Sequence, residues 1–195
     1  MSTLEWVAAI AGAISVYLSA KENIWSWPTA IVNVGLYIVV FRRAGLFSDM
    51  GLQVVYLVLS IYGWYEWLYG GANRTQLAVS RASRREWLVA TPVALAFWLG
   101  LARYTATLHG VALPYLDSGL TTVSLVAQWM MTRKMLENWV LWIVADIVYV
   151  PMYVYKKLPV TAALYLVFLV LAVVGLRAWW RSWRERTLVE GAVAA

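Results

Sequence analysis

The segment ENWVLWIVADIVYVPMYVYKK (137–157) places a single carboxylate, Asp146, near the middle of a run apolar enough to lie in lipid. A carboxylate at that depth costs about 2.5–3.5 kcal/mol on translocon insertion scales, so such acids face a partner, a cavity or a ligand. At helical spacing Asp146 shares a face with Trp139, Trp142, Tyr149 and Tyr153. An acid among indoles and phenols suits a small, flat, cationic or strongly polar ring. The aromatic faces stack on it and attract positive charge, by about 2 kcal/mol or more once desolvated, and the acid offsets the ligand's charge. Two further segments carry stripes of the same kind. One holds Asp117, Thr121, Ser124 and Gln128; the other holds Asp49, Gln53, Tyr56, Ser60 and Trp67, with Gly63 beside it. Polar groups within lipid must be satisfied by protein or by a wet cavity, so three such stripes imply one shared interior surface.

Composition narrows the chemistry. The 195 residues are 63% hydrophobic and only 13% charged, whereas soluble domains carry about 25% charged residues. The 13 Trp and 12 Tyr fit an integral membrane protein, where amphipathic rings gather at interfaces and line ligand paths. With no Cys there is no disulfide framework, thiolate metal site or Cys nucleophile. One His, His109, does not make a His-rich metal site or a multi-histidine proton relay. No cofactor is implied. The net charge of +6 does not indicate nucleic acid, because the basic residues fall at the ends of the apolar segments.

A helix crosses a bilayer in about 20 apolar residues. Seven segments qualify: roughly 4–20, 24–41, 47–69, 87–108, 114–132, 137–155 and 159–180. The opening MSTLEW lacks the basic n-region of a cleaved signal peptide, so the first segment is expected to be a span. Eleven Lys and Arg fall on one side of these spans, at Lys21, in the 70–86 loop, at Arg133 and Lys134, and in the C-terminal tail; five fall on the other. The positive-inside rule then puts the C-terminus in the cytoplasm and the N-terminus outside.

Sliding the chain against itself by 112 residues aligns 24–68 with 136–180 without gaps. Identical pairs include Trp27/Trp139, Tyr37/Tyr149, Leu46/Leu158, Gly63/Gly175 and Trp67/Trp179, and Glu5 falls on Asp117. The expected fold class is therefore an all-α integral membrane protein of seven transmembrane helices. Two parallel three-helix repeats are joined by a linker helix, a 3+1+3 plan whose substrate site lies near mid-membrane at the repeat interface. The expected parts are repeat 1 (1–70), a cytoplasmic loop and linker helix (71–110), repeat 2 (111–181) and a cytoplasmic C-terminal tail (182–195). The polar residues break the repeat. Trp142 and Asp146 fall on Ala30 and Val34, and Asp49, Gln53, Tyr56 and Ser60 fall on Thr161, Tyr165, Phe168 and Ala172. Polar groups present in one half only read as ligand-specific additions to a symmetric frame.

The candidate substrate-binding residues are Asp146, Trp142, Trp139, Gln53, Gln128, Tyr149, Asn33, Tyr56 and Ser60. Each has a plainer explanation. Asp146 could satisfy a neighbouring helix, and Gln53 and Gln128 could be interhelical glue. Trp139 and Tyr149 recur in Trp27 and Tyr37 and could be architectural. Asn33 enters only as a neighbour of Val34. Asp49, Glu5 and Asp117 lie near span ends, where capping or solvation accounts for them. Pro151 reads as a bend in the sixth helix.

IWSWPTAIVNVGLY, LFSDMGLQVVYLVLSIYGWYEW and DSGLTTVSLVAQWMMTRKMLENWVLWIVADIVYVPMYVYKK, with LYLVFLVLAVVGLRAW, resemble the PnuC-type nicotinamide riboside transporters over nearly all of residues 4–180. SIYGW, ENWxxW and the following P-x-Y are the most specific elements. The resemblance implies a 3+1+3 fold related to SWEET sugar transporters, assembled as a trimer in the bacterial inner membrane. It also implies facilitated diffusion of an unphosphorylated vitamin-like nucleoside, made net inward by a cytoplasmic kinase. In the family the W-x-x-W and a polar residue one turn later line the site; here these are Trp139, Trp142 and Asp146. That polar residue is often Asn, so Asp146 departs from the pattern. Thiamine and nicotinamide riboside are both cations and both suit an acid; riboflavin suits it less. A proton-coupled vitamin symporter with Asp146 as its proton site is the main rival. A rhodopsin would need a Lys inside the last span, and a membrane enzyme would need a reactive set; neither is present. A non-transporting sensor stays open.

Overall fold

The structure, a computed structural model, describes residues 3–107, 113–155, 157 and 159–194, with backbone only at 47, 48, 190, 191, 193 and 194. His109, Lys156 and Leu158, used in the sequence reading, lie outside the described residues. The regular elements are α1 (Thr3–Ala20), α2 (Ser26–Ala44), α3 (Phe47–Tyr69), a 3₁₀ turn (Ala72–Arg74), α4 (Arg84–Ala106), α5 (Pro114–Thr132), α6 (Glu137–Tyr155) and α7 (Pro159–Ala194). Each segment expected to span is a helix. The bounds agree to within a few residues except at the end of α7, which runs on to Ala194 where a tail was expected. At 36 residues α7 is about 54 Å long, well beyond the roughly 30 Å hydrocarbon core, and nothing after Pro159 interrupts it.

Local chemistry sets the helix ends. Ser83 caps α4 in a reciprocal box: its hydroxyl accepts from the Glu86 N–H, and the Glu86 carboxylate accepts from the Ser83 N–H. Gly45 closes α2 at φ 71°, a left-handed position that costs glycine nothing. Pro114 opens α5, where its missing N–H is harmless.

Among the described residues, α1, α4, α6 and α7 are long and apolar enough to cross a membrane on length and composition alone. The other three are more polar because they turn polar side chains inward; α5 alone buries Ser118, Thr122, Ser124 and Thr132. Large apolar side chains are exposed on outward faces instead, among them Val58, Leu88, Val89, Val93 and Val170. The chain is a multi-pass, all-helical membrane protein.

α1 packs on α2 and α2 on α3; α5 packs on α6 and α6 on α7. α4 packs on α5. The two triplets meet through α1 on α7 and α3 on α5.

At one end of the bundle the triplets share a tryptophan hub. Trp27 meets Trp67 edge-on at 5.3 Å and 89°, and Trp139 meets Trp179 edge-on at 5.4 Å and 87°. Trp67 and Trp179 then touch each other at 5.8 Å. All four rings are buried. The Trp67 indole N–H donates to the Met131 carbonyl at 3.0 Å, and the Trp179 indole N–H donates to the Ser19 carbonyl at 3.0 Å. Ser19 and Met131 are themselves 112 residues apart.

The same symmetry governs how α1 and α5 end. Glu22 (φ 53°) and Lys134 (φ 49°) both sit in the left-handed region directly after these helices. The Glu22 N–H bonds Ser19 O and the Asn23 N–H bonds Leu18 O; the Lys134 N–H bonds Met131 O and the Met135 N–H bonds Met130 O. These are two Schellman closures, with charged residues where glycine is usual. Holding a non-glycine residue there costs about 1–2 kcal/mol. The two strained positions place opposite charges together. The Lys134 ammonium donates to the Glu22 carboxylate at 3.2 Å and lies 4.5 Å over the Trp67 ring. Burial pushes the Lys134 ammonium below its ordinary pKa, while Glu22 opposes that shift.

Two predictions follow from this hub. A Cβ on Gly63 would lie 2.3 Å from the Trp27 ring, and one on Gly175 would lie 2.6 Å from the Trp139 ring. Neither buried ring can yield cheaply, so Gly63→Ala and Gly175→Ala should each destabilise by about 1–3 kcal/mol. Gly100→Ala, which meets nothing within 4 Å, should not. Thermal unfolding in detergent checks all three, and an unchanged Tm for the first two would show that the rings are not held. For the ion pair, Lys134→Glu should lower Tm, by roughly 1–3 kcal/mol because Glu22 is only partly buried. Adding Glu22→Lys should recover most of that loss.

Candidate functional site

α6 gives Asp146 its surroundings. Its outer stripe, Val140, Val144 and Ile147, is exposed, whereas Ala145 and Asp146 are buried, so the carboxylate is turned into the bundle. Asp146 is only 3% exposed and, among the described residues, no side chain or backbone group bonds it and no Arg or Lys pairs with it. An unpaired acid inside a helical bundle is costly to keep.

Along α6 Asp146 lies between two aromatic layers. One turn toward the hub is Trp142, half-buried against the Trp cluster, followed by Trp139 within that cluster. One turn the other way Tyr149 stacks on Tyr153 at 5.8 Å and 17°. Tyr165 of α7 leans on both, at 4.7 and 4.9 Å. The phenols of Tyr56 on α3 and Tyr149 on α6 both approach the Ser124 hydroxyl on α5. The tyrosine layer thus draws on α3, α5, α6 and α7. Its stacked pair is echoed on α2, where Tyr37 stacks on Phe41 at 5.6 Å and 22°.

Of the remaining candidates, Ser60 is buried on α3, and Gln53 and Gln128 are half-buried. Asn33 is committed elsewhere: its side-chain amide donates to the Ala8 carbonyl of α1 at 2.7 Å, beside Gly12. Trp139 packs as hub, its ring against Gly175. Its indole N–H is buried with no partner, and so is that of Trp27. Ser26 Oγ and Asn138 Oδ1, another pair 112 residues apart, are likewise buried and unpartnered. The structure therefore brings Asp146 and Trp142 between a Trp layer and a Tyr–Ser layer, and sets Asn33 to one side.

Two clefts open at the hub end, away from Asp146. One, of about 360 Å³, lies beside the Glu22–Lys134 pair and Trp67. The other, of about 480 Å³, lies between α6 and α7.

The sequence reading treated residues 70–86 as a linker, but part of it is a strap across the hub. The Leu77 N–H donates to Trp67 O, the Ser80 N–H to Lys134 O, and the Leu136 N–H to Ser80 O. Val79 is buried against the Trp cluster, and Arg186 of α7 donates to the Val79 carbonyl. Glu137 holds the end of the strap, accepting from Arg81 Nε and the Ala82 N–H at 2.9 Å each. Such backbone pairing carries no residue signature. The Glu22–Lys134 pair, by contrast, was visible at the repeat offset as two opposite charges on equivalent positions.

Residues 2–181 match the family described as "Nicotinamide mononucleotide transporter". Over 95% of its length the chain is 28% identical to the nicotinamide riboside transporter PnuC of Escherichia coli, covering 88% of that protein. Over 97% it is also 28% identical to the riboflavin/roseoflavin transporter RibM of Streptomyces davaonensis, covering 91% of it. Among solved structures, the crystal structure of the vitamin B3 transporter PnuC superposes with a TM-score of 0.73 at 26% identity, over 93% of this chain and 82% of that one.

Proposed function

The chain belongs to the nicotinamide mononucleotide transporter family, and from that membership we propose that it carries nicotinamide riboside, or a related cationic vitamin-like nucleoside, by facilitated diffusion. The observation that carries this reading is Asp146: a buried, unpaired carboxylate between an indole layer and a phenol layer. Trp142 supplies an aromatic face, Asp146 the counter-charge, and Gln53, Gln128, Tyr56, Tyr149 and Ser60 the polar contacts that reject analogues lacking the matching groups. Trp139 backs Trp142 from the hub.

The carrier works as two three-helix repeats joined by α4, with the ligand at their interface. Support for the repeats comes from the paired Trp–Trp edges, the paired indole–carbonyl bonds and the matching contacts of α1 on α7 and α3 on α5. Rocking of one triplet against the other exposes the ligand to each side in turn. The basic end, with the strap, faces the cytoplasm of a bacterial inner membrane, and the N-terminus lies outside, in line with the excess of Lys and Arg at that end. A passive carrier only equalises concentration, so phosphorylation of the ligand by a cytoplasmic kinase makes uptake net inward. The working unit is a trimer, as the family resemblance implies.

Thiamine, also a flat cation, would meet the same groups. The equal identity to a riboflavin transporter is the observation that favours a neutral flavin instead. Proton-coupled uptake would use Asp146 as the proton site.

Purified protein titrated by Trp fluorescence with nicotinamide riboside, thiamine and riboflavin should bind a cationic member best. Asp146→Asn should weaken that cation by about tenfold or more, and the neutral flavin much less. Equal losses would remove the counter-charge role. Uptake into proteoliposomes should be unchanged when the proton gradient is dissipated; dependence on the gradient would establish coupling instead.

A further inference from the structure

The cleft between α6 and α7 has two distinct walls. One is basic: Arg177 and Arg181 lie one turn apart on α7, and Arg81 reaches in from the strap. Arg81 is already occupied, bonded to Glu137 at 2.9 Å and lying 5.8 and 5.7 Å over the rings of Trp180 and Trp183. Arg177 and Arg181 have no ion-pair or hydrogen-bond partner among the described residues. Glu137 directs its carboxylate to Arg81 and the Ala82 N–H, so the charge left over in the cleft is positive.

The other wall is apolar, made by Leu136, Val140, Leu176 and the exposed ring of Trp180. Toward mid-helix both elements keep exposed aliphatic side chains, Val144 and Ile147 on α6 and Val170 and Val174 on α7. α6 and α7 are two of the helices apolar enough to cross a membrane. The arginines therefore sit at the end of a hydrocarbon-facing surface, with a Trp at the level where indoles mark the interface.

We propose that this cleft is a binding site for an anionic phospholipid, its phosphate on Arg177 and Arg181 and one acyl chain along the exposed aliphatic side chains of α6 and α7. A soluble phosphate would use the arginines but gain nothing from the apolar wall; a neutral lipid would use the wall but leave the arginines unpaired. Planar guanidinium groups suit phosphate oxygens in two-point contact. A lipid seated here also touches Trp180 and Arg81, and through Arg81 the end of the strap.

The test uses the full chain, reconstituted with phosphatidylglycerol or phosphatidylcholine and followed by native mass spectrometry of retained lipid. Phosphatidylglycerol should be retained in preference, and the preference should fall roughly fivefold for each arginine in Arg177→Gln, Arg181→Gln and the double variant. Arg184→Gln, outside the cleft, should keep it. As a second measurement that does not depend on the Arg variants, phosphatidylglycerol with brominated chains should quench Trp fluorescence more than its phosphatidylcholine counterpart. That difference should shrink in Trp180→Phe. Equal retention of the two lipids, or an undiminished preference in the double variant, overturns the proposal. So does full competition by soluble glycerol phosphate, which would make this an anion site rather than a lipid site. A change in oligomeric state on mutation with no change in lipid retention would reassign the face to a second copy of the chain.

Discussion

Two indole N–H groups join the halves of this molecule. Trp67 donates to Met131 and Trp179 donates to Ser19, so the third helix of each triplet is bonded to the end of the first helix of the other. The accepting carbonyls lie in the last turns of α1 and α5, where helix carbonyls lack intrahelical partners. Each also accepts the N–H of the left-handed residue that follows its helix, so both lone pairs are used. In a solvent that offers no alternative donor, satisfying buried backbone is the dominant requirement, and here it doubles as the fastening between triplets. Ring packing then follows: with Trp67 and Trp179 fixed by their N–H groups, Trp27 and Trp139 meet them edge-on, and only glycine fits at 63 and 175.

With the hub end tied in this way, polar groups that are not tied become conspicuous. Asp146 lies between two well-packed aromatic layers and bonds to neither. The unpartnered indole N–H groups of Trp27 and Trp139 and the unpartnered atoms of Ser26 and Asn138 lie on repeat-related positions at the hub. A transporter must pass through more than one arrangement of its helices, and groups unsatisfied in one arrangement gain partners in another. The closed strap and the tied hub on one side are what a carrier needs while its ligand path communicates with the other side.

Much of the fold was legible in the sequence, for a simple reason. Membrane helices must be about 20 apolar residues long, and the intervening KENIW, GGANRT and KMLEN stretches break that pattern sharply. The end of α7 was misjudged because hydropathy reports where lipid stops, not where hydrogen bonding stops; the charged stretch after Trp180 stays helical in water. The repeat offset was found from identities such as Trp27/Trp139 and Gly63/Gly175, and these proved to be one contact each rather than independent coincidences. The same offset hid the Glu22–Lys134 pair, because a comparison that rewards likeness scores opposite charges as a mismatch. At the site, periodicity placed Asp146 and Tyr149 inside the bundle, but it could not reveal that Asn33 is spent on a carbonyl of α1. That depends on how closely Gly12 lets the two helices approach.

The opposite charges at equivalent positions have a consequence for how the chain assembles. If the first triplet were to pair with another first triplet, two carboxylates would meet across the joint; if the second paired with a second, two ammonium groups would meet beside an indole. Only the mixed pairing neutralises itself. A duplication whose copies began alike has thus acquired a lock and key at its seam. The partner each half accepts is its own sister on the same polypeptide, and cross-assembly between neighbouring chains is disfavoured before folding is complete.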